Sequence, residues 1–306
     1  MPSLVRVDGA PKSMHESHET LEQARERNVR DALREDLGPV DWTASLVPAS
    51  RHATGGVVAK ESAVLAGCAW FDACLQSCDP DVEVRWLRAE GERTVAGEEI
   101  CRFRGRARGL LSAERSALNF LQMLSAVATM TRRYVDAIQG ISPNLRGCRV
   151  LDTRKTLPGL RQAQKYAVRV GGGMNHRMGL WDAMLIKENH IAAAGGVAQA
   201  LHAARALAAD VTLQIEVENL EELRQALDAG ARHILLDDFD LAAMARACES
   251  NAGRAELEVS GGVDLDTIRG IAATGVDRIS IGKLTKDVQA VDLSMRLHVE
   301  ELHDGR

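Results

Sequence analysis

Several short stretches in the second half of the sequence bring charged residues and glycines together in patterns that suit anion chemistry. In DTRKTLPGL, Arg154 and Lys155 stand side by side where an apolar run gives way to a loop, and Pro158 and Gly159 open the next helix. Adjacent cations there suit an anion, although such a pair alone reads as a solvated basic turn. VGGGMNHRMGL places Gly171 to Gly173 at a helix end, followed directly by His176 and Arg177. LIKENHI supplies Lys187 after an apolar run, with Asn189 and His190 beyond it; His190 is expected to hydrogen-bond structurally rather than to react. In QIEVEN, Glu216 and Glu218 share a strand face by the two-residue period, and LLDDF puts Asp237 after another apolar run. Carboxylates facing cations can hold a divalent metal, bind hydroxyls or balance a developing positive charge; the bland alternative is pairing with a neighbouring lysine or arginine. VSGGV and SIGKL add Ser260, Gly261, Gly262 and Gly282, whose hydroxyl and backbone N–H groups would cradle a phosphate. Several cations, two acids and a phosphate loop together suit group transfer on a polyanionic phosphate ester.

The elements that must position these residues follow from the hydrophobic period. CRVLDT, AMLIKE, TLQIEVE, HILLDD, LEVSGG and RISIGK read as strands, separated by helical stretches such as VAQALHAARALA and LEELRQALDAG. Strands alternating with helices imply parallel βαβ units. Polar groups end each strand in turn, as at the catalytic face of a β/α barrel, whereas an open sheet would gather them at one switch point. No GxGxxG follows a first strand, which speaks against dinucleotide binding. The strands number about six, fewer than the eight of a closed barrel, so the barrel is incomplete or an element lies unread near residue 170. Upstream, a helical pattern covers Thr20 to Leu37. Short alternating segments at Thr54 to Leu65, Val82 to Arg88 and Glu99 to Phe103 suggest a small α+β domain. A long helix with Ser112 as N-cap, running to about Ile138, would link the two halves.

Composition sets the frame. The 306 residues suffice for about two domains, and 45% hydrophobic with 26% charged residues is ordinary for a globular chain. No apolar run reaches membrane-spanning length, and a net charge of -5 argues against general nucleic-acid binding, so an anion site must be local. The six cysteines form no CxxC pair and read as reduced thiols, with a zinc site from Cys74 and Cys78 set aside for want of nearby ligands. Residues 1 to about 18 read as a loose polar terminus without a signal-peptide layout.

ERSALNFLQMLSAVAT, the block DTRKTLPGLRQAQKYAVRVGGGMNHRMGLWDAMLIKENHI, EVENLEEL, LLDDF, EVSGGV and ISIGKL together resemble the quinolinate phosphoribosyltransferases, from about Asn28 onward, with ALREDLGPVDWT and AKESAVLAG contributing in the first half. The sequence departs from that pattern at Leu157, Val170, Glu188 and Asp238, none of them a charged group assigned to the site. The resemblance implies an α/β chain with an N-terminal α/β sandwich domain over residues 20–118 and a C-terminal incomplete β/α barrel over 119–287. A C-terminal helix over 288–306 would join the first domain. It implies a cytoplasmic homodimer, or a hexamer, in which Arg115 of one subunit reaches the site of the other. Arg115, Arg154, His176, Arg177 and Lys187 would line a pocket for quinolinate, with Thr153 and Lys155 beside the phosphates of phosphoribosyl pyrophosphate. Glu216 and Asp237 would lie near the ribose and Mg2+, with Lys155, Glu216 and Asp237 the catalytic set, and Ser260, Gly261, Gly262 and Gly282 would hold the 5'-phosphate. The Thr-rich phosphate loop of the other large phosphoribosyltransferase class is absent. The alternatives are a paralogue of the same fold, either associated with molybdenum transport or specific for nicotinate, and a phosphosugar-binding protein without catalysis.

Overall fold

The computed structural model describes residues 18–207 and 210–300. The chain begins with α1 (Leu21–Leu37), capped as the sequence suggests: Thr20 Oγ1 accepts the Gln23 N–H at 3.2 Å, and Gln23 Oε1 accepts the Thr20 N–H at 2.9 Å. After a 3-10 turn at Ala44–Leu46 come β1 (His52–Ala59), β2 (Ala63–Val64), α2 (Cys68–Cys78), β3 (Glu83–Trp86), β4 (Arg93–Thr94) and β5 (Glu99–Arg106). Here β1, β5 and β3 are antiparallel neighbours, β2 pairs with β4, and Trp70, Phe71 and Leu75 of α2 are fully buried. Gly67, just before α2, lies so close to the next helix that a Cβ there would meet Leu124 Cδ1 at 2.9 Å.

That helix, α3 (Ala107–Ile138), starts five residues before Ser112, directly from the end of β5. Ala107, Leu110, Ala113 and Ala117 carry the apolar face back past the expected cap, and burial of that face decides the boundary. Ser112 is an interior helical residue whose hydroxyl donates to Asp41 Oδ2 at 2.8 Å.

The second half runs β6 (Arg149–Leu151), α4 (Arg161–Val170), β7 (Ala183–Ile186), α5 (Glu188–Ala194), α6 (Val197–Leu207), β8 (Thr212–Val217), α7 (Leu220–Asp228), β9 (His233–Leu236), α8 (Leu241–Asn251), β10 (Glu256–Ser260), α9 (Ile268–Ala273), β11 (Arg278–Ser280) and α10 (Lys283–Lys286). All six strands are parallel, in the order β6-β11-β10-β9-β8-β7. The ring stays open between β6 and β7, where one isolated bridge joins Leu151 to Met174, just beyond residue 170. The final strand, β12 (Leu293–Val299), pairs antiparallel with β1 and brings the first sheet to the order β12-β1-β5-β3. This corrects the helix expected from residue 288. LSMRLHV alternates apolar and polar residues with period two, and β1 offers it an unpaired edge. Residues 301–306 of that expectation, and 1–17 of the loose terminus, lie outside the described residues.

The barrel strands bury apolar residues on their outer faces against the helices: Ile215, Val217, Ile234, Leu236, Leu257, Val259 and Ile279. Their inner faces carry the polar residues, with Leu151 and Leu235 among them. Gln214 of β8 bonds Glu258 of β10, and Arg149 of β6 bonds Glu256 of β10, each contact skipping the strand between; only side chains pointing into the lumen can do this.

Candidate active site

At the carboxyl ends of the strands the expected residues form two adjoining groups. In the first, Lys187 Nζ sits 3.0 Å from each carboxylate oxygen of Glu216, which is itself buried. Burial raises the Glu216 pKa; Lys187 opposes the rise and the nearby Asp237 charge adds to it. Asp237 ends β9 beside the β10 loop, its Oδ1 3.8 Å from where a Cβ on Gly261 would lie. The next residue, Asp238, takes the left-handed conformation at φ 58°, which aspartate tolerates better than most residues. Glu218 lies past the end of β8, exposed, with its N–H on Glu222, and does not join Glu216.

The second group is the glycine-rich floor. Gly261 and Gly262 have φ of 95° and 60°, left-handed conformations that glycine adopts without strain. The amides of Gly261, Gly262 and Gly282 have no partner among the described residues. Ser260 stands in register with Ser280, and its hydroxyl is 3.5 Å from the Ser280 carbonyl. Thr153 Oγ1 accepts the Lys155 N–H at 3.1 Å, and the Lys155 carbonyl accepts the Thr285 hydroxyl at 2.9 Å, which fixes the β6 loop over α10. The stem of Lys155 crosses Gly282, where a Cβ would meet Lys155 Cδ at 3.0 Å. Arg154 and Lys155 are exposed and have no carboxylate partner among the described residues.

His176 and Arg177 lie on the segment that fills the open side of the barrel. A cavity of about 440 Å³ adjoins them, lined also by Gln162 and Arg169 of α4, Gln214 and Arg278. Arg177 donates to the Ala183 carbonyl at 3.0 Å, and its pKa is lowered by burial and by Arg154. Both ring nitrogens of His176 are engaged within the chain. Nδ1 accepts the Arg177 N–H at 2.8 Å, and Nε2 lies 3.1 Å from Gln214 Oε1 and 3.3 Å from Glu258 Oε1. An accepting Nδ1 leaves the proton of a neutral ring on Nε2. His190 has the hydrogen-bonding role expected of it, accepting the Lys187 N–H at 3.0 Å. Arg115 is not brought to the mouth of its own barrel; it is exposed on α3, beside Glu35, Asp36 and Asn119.

Several supporting residues were not singled out by their sequence. Asp152 and Lys165 are fully buried and paired; Asp152 also accepts the His176 N–H at 2.8 Å and Asn175 Nδ2 at 2.6 Å, and Lys165 donates to the His176 carbonyl at 2.7 Å. The pair anchors the Asn175–Arg177 segment. Gln214 and Glu258 precede Glu216 and Ser260 by two residues, and that period was the available signal.

Two family models match the chain: quinolinate phosphoribosyl transferase, N-terminal domain, over residues 41–125, and the C-terminal domain of the same enzyme over residues 127–296. The chain belongs to the quinolinate phosphoribosyltransferase family. A relative in Mycobacterium leprae named nicotinate-nucleotide pyrophosphorylase (carboxylating) is 42% identical over 279 residues, covering 88% of this chain and 95% of that protein. The solved structure of the nicotinate-nucleotide pyrophosphorylase from Francisella tularensis is 40% identical with a TM-score of 0.86, covering 94% of this chain and 100% of the other. Human nicotinic acid phosphoribosyltransferase, at 15% identity and a TM-score of 0.57, shares the fold alone, over 89% of this chain and 74% of that one. Among the described residues of this family member, no helix is long and apolar enough to cross a membrane.

Proposed function

We propose that this chain transfers the phosphoribosyl group of phosphoribosyl pyrophosphate to the ring nitrogen of quinolinate, releasing pyrophosphate and carbon dioxide and giving nicotinate mononucleotide. The observation that carries the reading is the pairing of Glu216 and Asp237 with unpartnered glycine amides at one barrel mouth, flanked by Lys155 and Lys187. The amides of Gly261, Gly262 and Gly282 receive the 5'-phosphate, and Ser260 adds a hydroxyl. Lys155 balances charge on the departing pyrophosphate, while the two carboxylates face the ribose as C1 becomes cationic. The C1–oxygen bond to pyrophosphate breaks and the nitrogen–C1 bond forms. The ring nitrogen is then cationic, so the adjacent carboxylate leaves as carbon dioxide, and the electron pair left on the ring carbon takes a proton. Arg154, Arg177 and Lys187 hold the two carboxylates, with His176 orienting Arg177.

Glu216 and Asp237 also suit Mg2+, which commonly takes one or two protein carboxylates together with substrate phosphates. Among the described residues no group of three or more His, Cys, Asp or Glu side chains could hold a metal ion; Glu216 and Asp237 are the residues that would hold Mg2+, which when bound would supply charge neutralisation at the phosphates. In this reading the enzyme acts in the cytoplasm as a homodimer, with Arg115 completing the site of the partner copy. The test is to incubate the purified protein with phosphoribosyl pyrophosphate, magnesium and either quinolinate or nicotinate. Equimolar nucleotide and carbon dioxide from quinolinate alone support the proposal; product from nicotinate, or from neither acid, overturns it.

A further inference from the structure

The amino end of the barrel lumen carries a second cationic cluster, remote from the glycine cradle. Arg149 of β6, His233 of β9, Glu256 of β10 and Arg278 of β11 meet there. Glu256 accepts from Arg149 at 2.6 Å, pairs closely with Arg278 and lies 3.2 Å from His233 Nδ1, which in turn is 2.7 Å from an Arg278 nitrogen. Two guanidinium groups share one carboxylate. Burial and then Arg278 lower the His233 pKa, with Glu258 opposing them, and within the cluster two guanidinium groups face the single carboxylate of Glu256. The Arg278 pKa falls to about 10, through burial and then the neighbouring Arg149. The Nε groups of Arg149 and Arg278 are buried with no hydrogen-bond partner among the described residues, as is Oε1 of Glu258 one layer above them in the lumen. Buried donors in native proteins are almost always satisfied, whether by a protein group, a water or an ion.

His233 and Arg278 also line the 440 Å³ cavity, together with Arg169, Arg177 and Asp182. Asp182 is occupied by the N–H groups of Met178 and Gly179. We propose that this end of the lumen, which meets the proposed quinolinate pocket at His176 and Arg177, binds a small oxyanion of the class of inorganic phosphate, apart from the glycine cradle at the mouth. Arg278 opens β11 at the amino side of the lumen, whereas Gly282 lies beyond the carboxyl end of that strand as the N-cap of α10. Gln214 and His176 line the same cavity, so an anion there would abut the layer beneath the catalytic mouth.

The experiment is equilibrium dialysis of the full-length protein with labelled inorganic phosphate. Wild type should bind two phosphates per chain, one at the mouth and one in the lumen. Arg278→Met should lose the second class or weaken it about tenfold or more, as removal of a charge-assisted donor implies. Glu256→Gln, which deletes the competing carboxylate, should tighten it. Wild-type stoichiometry of one that Arg278→Met leaves unchanged, or identical binding curves in all three proteins, would overturn the lumen site while leaving the cradle intact. A single class that Arg278→Met abolishes would support the lumen site and count against the cradle instead.

Discussion

Replacement of Lys187 by Met gives the sharpest test of the electrostatics at the barrel mouth. In wild type, Lys187 Nζ bonds both oxygens of a Glu216 side chain that is 8% exposed, while Lys187 itself is 47% exposed. Hydrogen bonds to charged groups contribute about 1.5–3 kcal/mol, and solvent screening at the exposed lysine brings this to about 1 kcal/mol. Burial already holds the Glu216 pKa above the ordinary carboxylate value, so its protonated form stabilises the fold below that value. The contribution fades as pH rises through the folded pKa. Loss of Lys187 removes the main opposing influence and raises the folded pKa further. The variant should therefore match wild type in acid, near pH 4, and become progressively less stable toward pH 7, by about 1 kcal/mol or roughly 2 °C in Tm. Thermal unfolding of the ligand-free protein across that range measures the difference, and Lys187→Met/Glu216→Gln should restore the neutral-pH Tm. A Tm loss of equal size at every pH would show that Lys187 acts by packing, and the charge argument would fail.

Three further substitutions probe other parts of the site. Lys165→Met leaves Asp152 buried without a cation and should cost about 3–5 kcal/mol in urea unfolding; Asp152→Asn/Lys165→Met should recover most of this, and equal losses in both variants would refute the ion-pair account. Gly282→Ala should leave the free energy of unfolding within about 0.5 kcal/mol of wild type, since φ is -67°. Its methyl, 3.0 Å from Lys155 Cδ, should raise the KM for phosphoribosyl pyrophosphate several-fold, and an unchanged KM would place Lys155 away from that substrate. Arg115→Ala and Lys155→Ala should each be inactive alone, yet an equal mixture after subunit exchange should regain about a quarter of wild-type activity if Arg115 acts across a twofold interface. No recovery would put Arg115 outside the partner's site.

What was legible in the sequence was what local period and strand-end chemistry encode. All six barrel strands, and the polar residues that follow them, stand where alternation and β-branching indicate, because each strand is flanked by its own turn signals. The start of α3 was obscured because Ser112 is a good cap by type, and only burial of Ala107 and Leu110 shows that the helix is already under way. The edge pairing of β12 with β1 joins segments some 240 residues apart, which no short window can report. Lys165 was hidden for a different reason. A lysine among Ala163, Ala167 and Val168 reads as the exposed side of an amphipathic helix until its partner Asp152, at the end of another element, is known.

The polar lumen has a thermodynamic consequence for how the site is kept rigid. Along β8 and β10 the inward residues run Thr212, Gln214, Glu216 and Glu256, Glu258, Ser260, so the floor of the mouth is itself a hydrogen-bonded layer. Gln214 bonds both neighbours in that layer, donating Nε2 to Glu258 Oε2 at 3.0 Å and meeting His176 Nε2 through Oε1 at 3.1 Å, so its amide is held in a single orientation. The Glu258 carboxyl stays below the ordinary range despite its burial, because His176, Ser280 and Gln214 all favour the charged form. An apolar floor would pack as well and leave Arg177 without the Nδ1 contact that fixes its backbone. The barrel therefore draws its stability from the outward faces of its strands and reserves the inward faces for orientation, which allows a mouth dense in charge to keep its geometry before any ligand is bound.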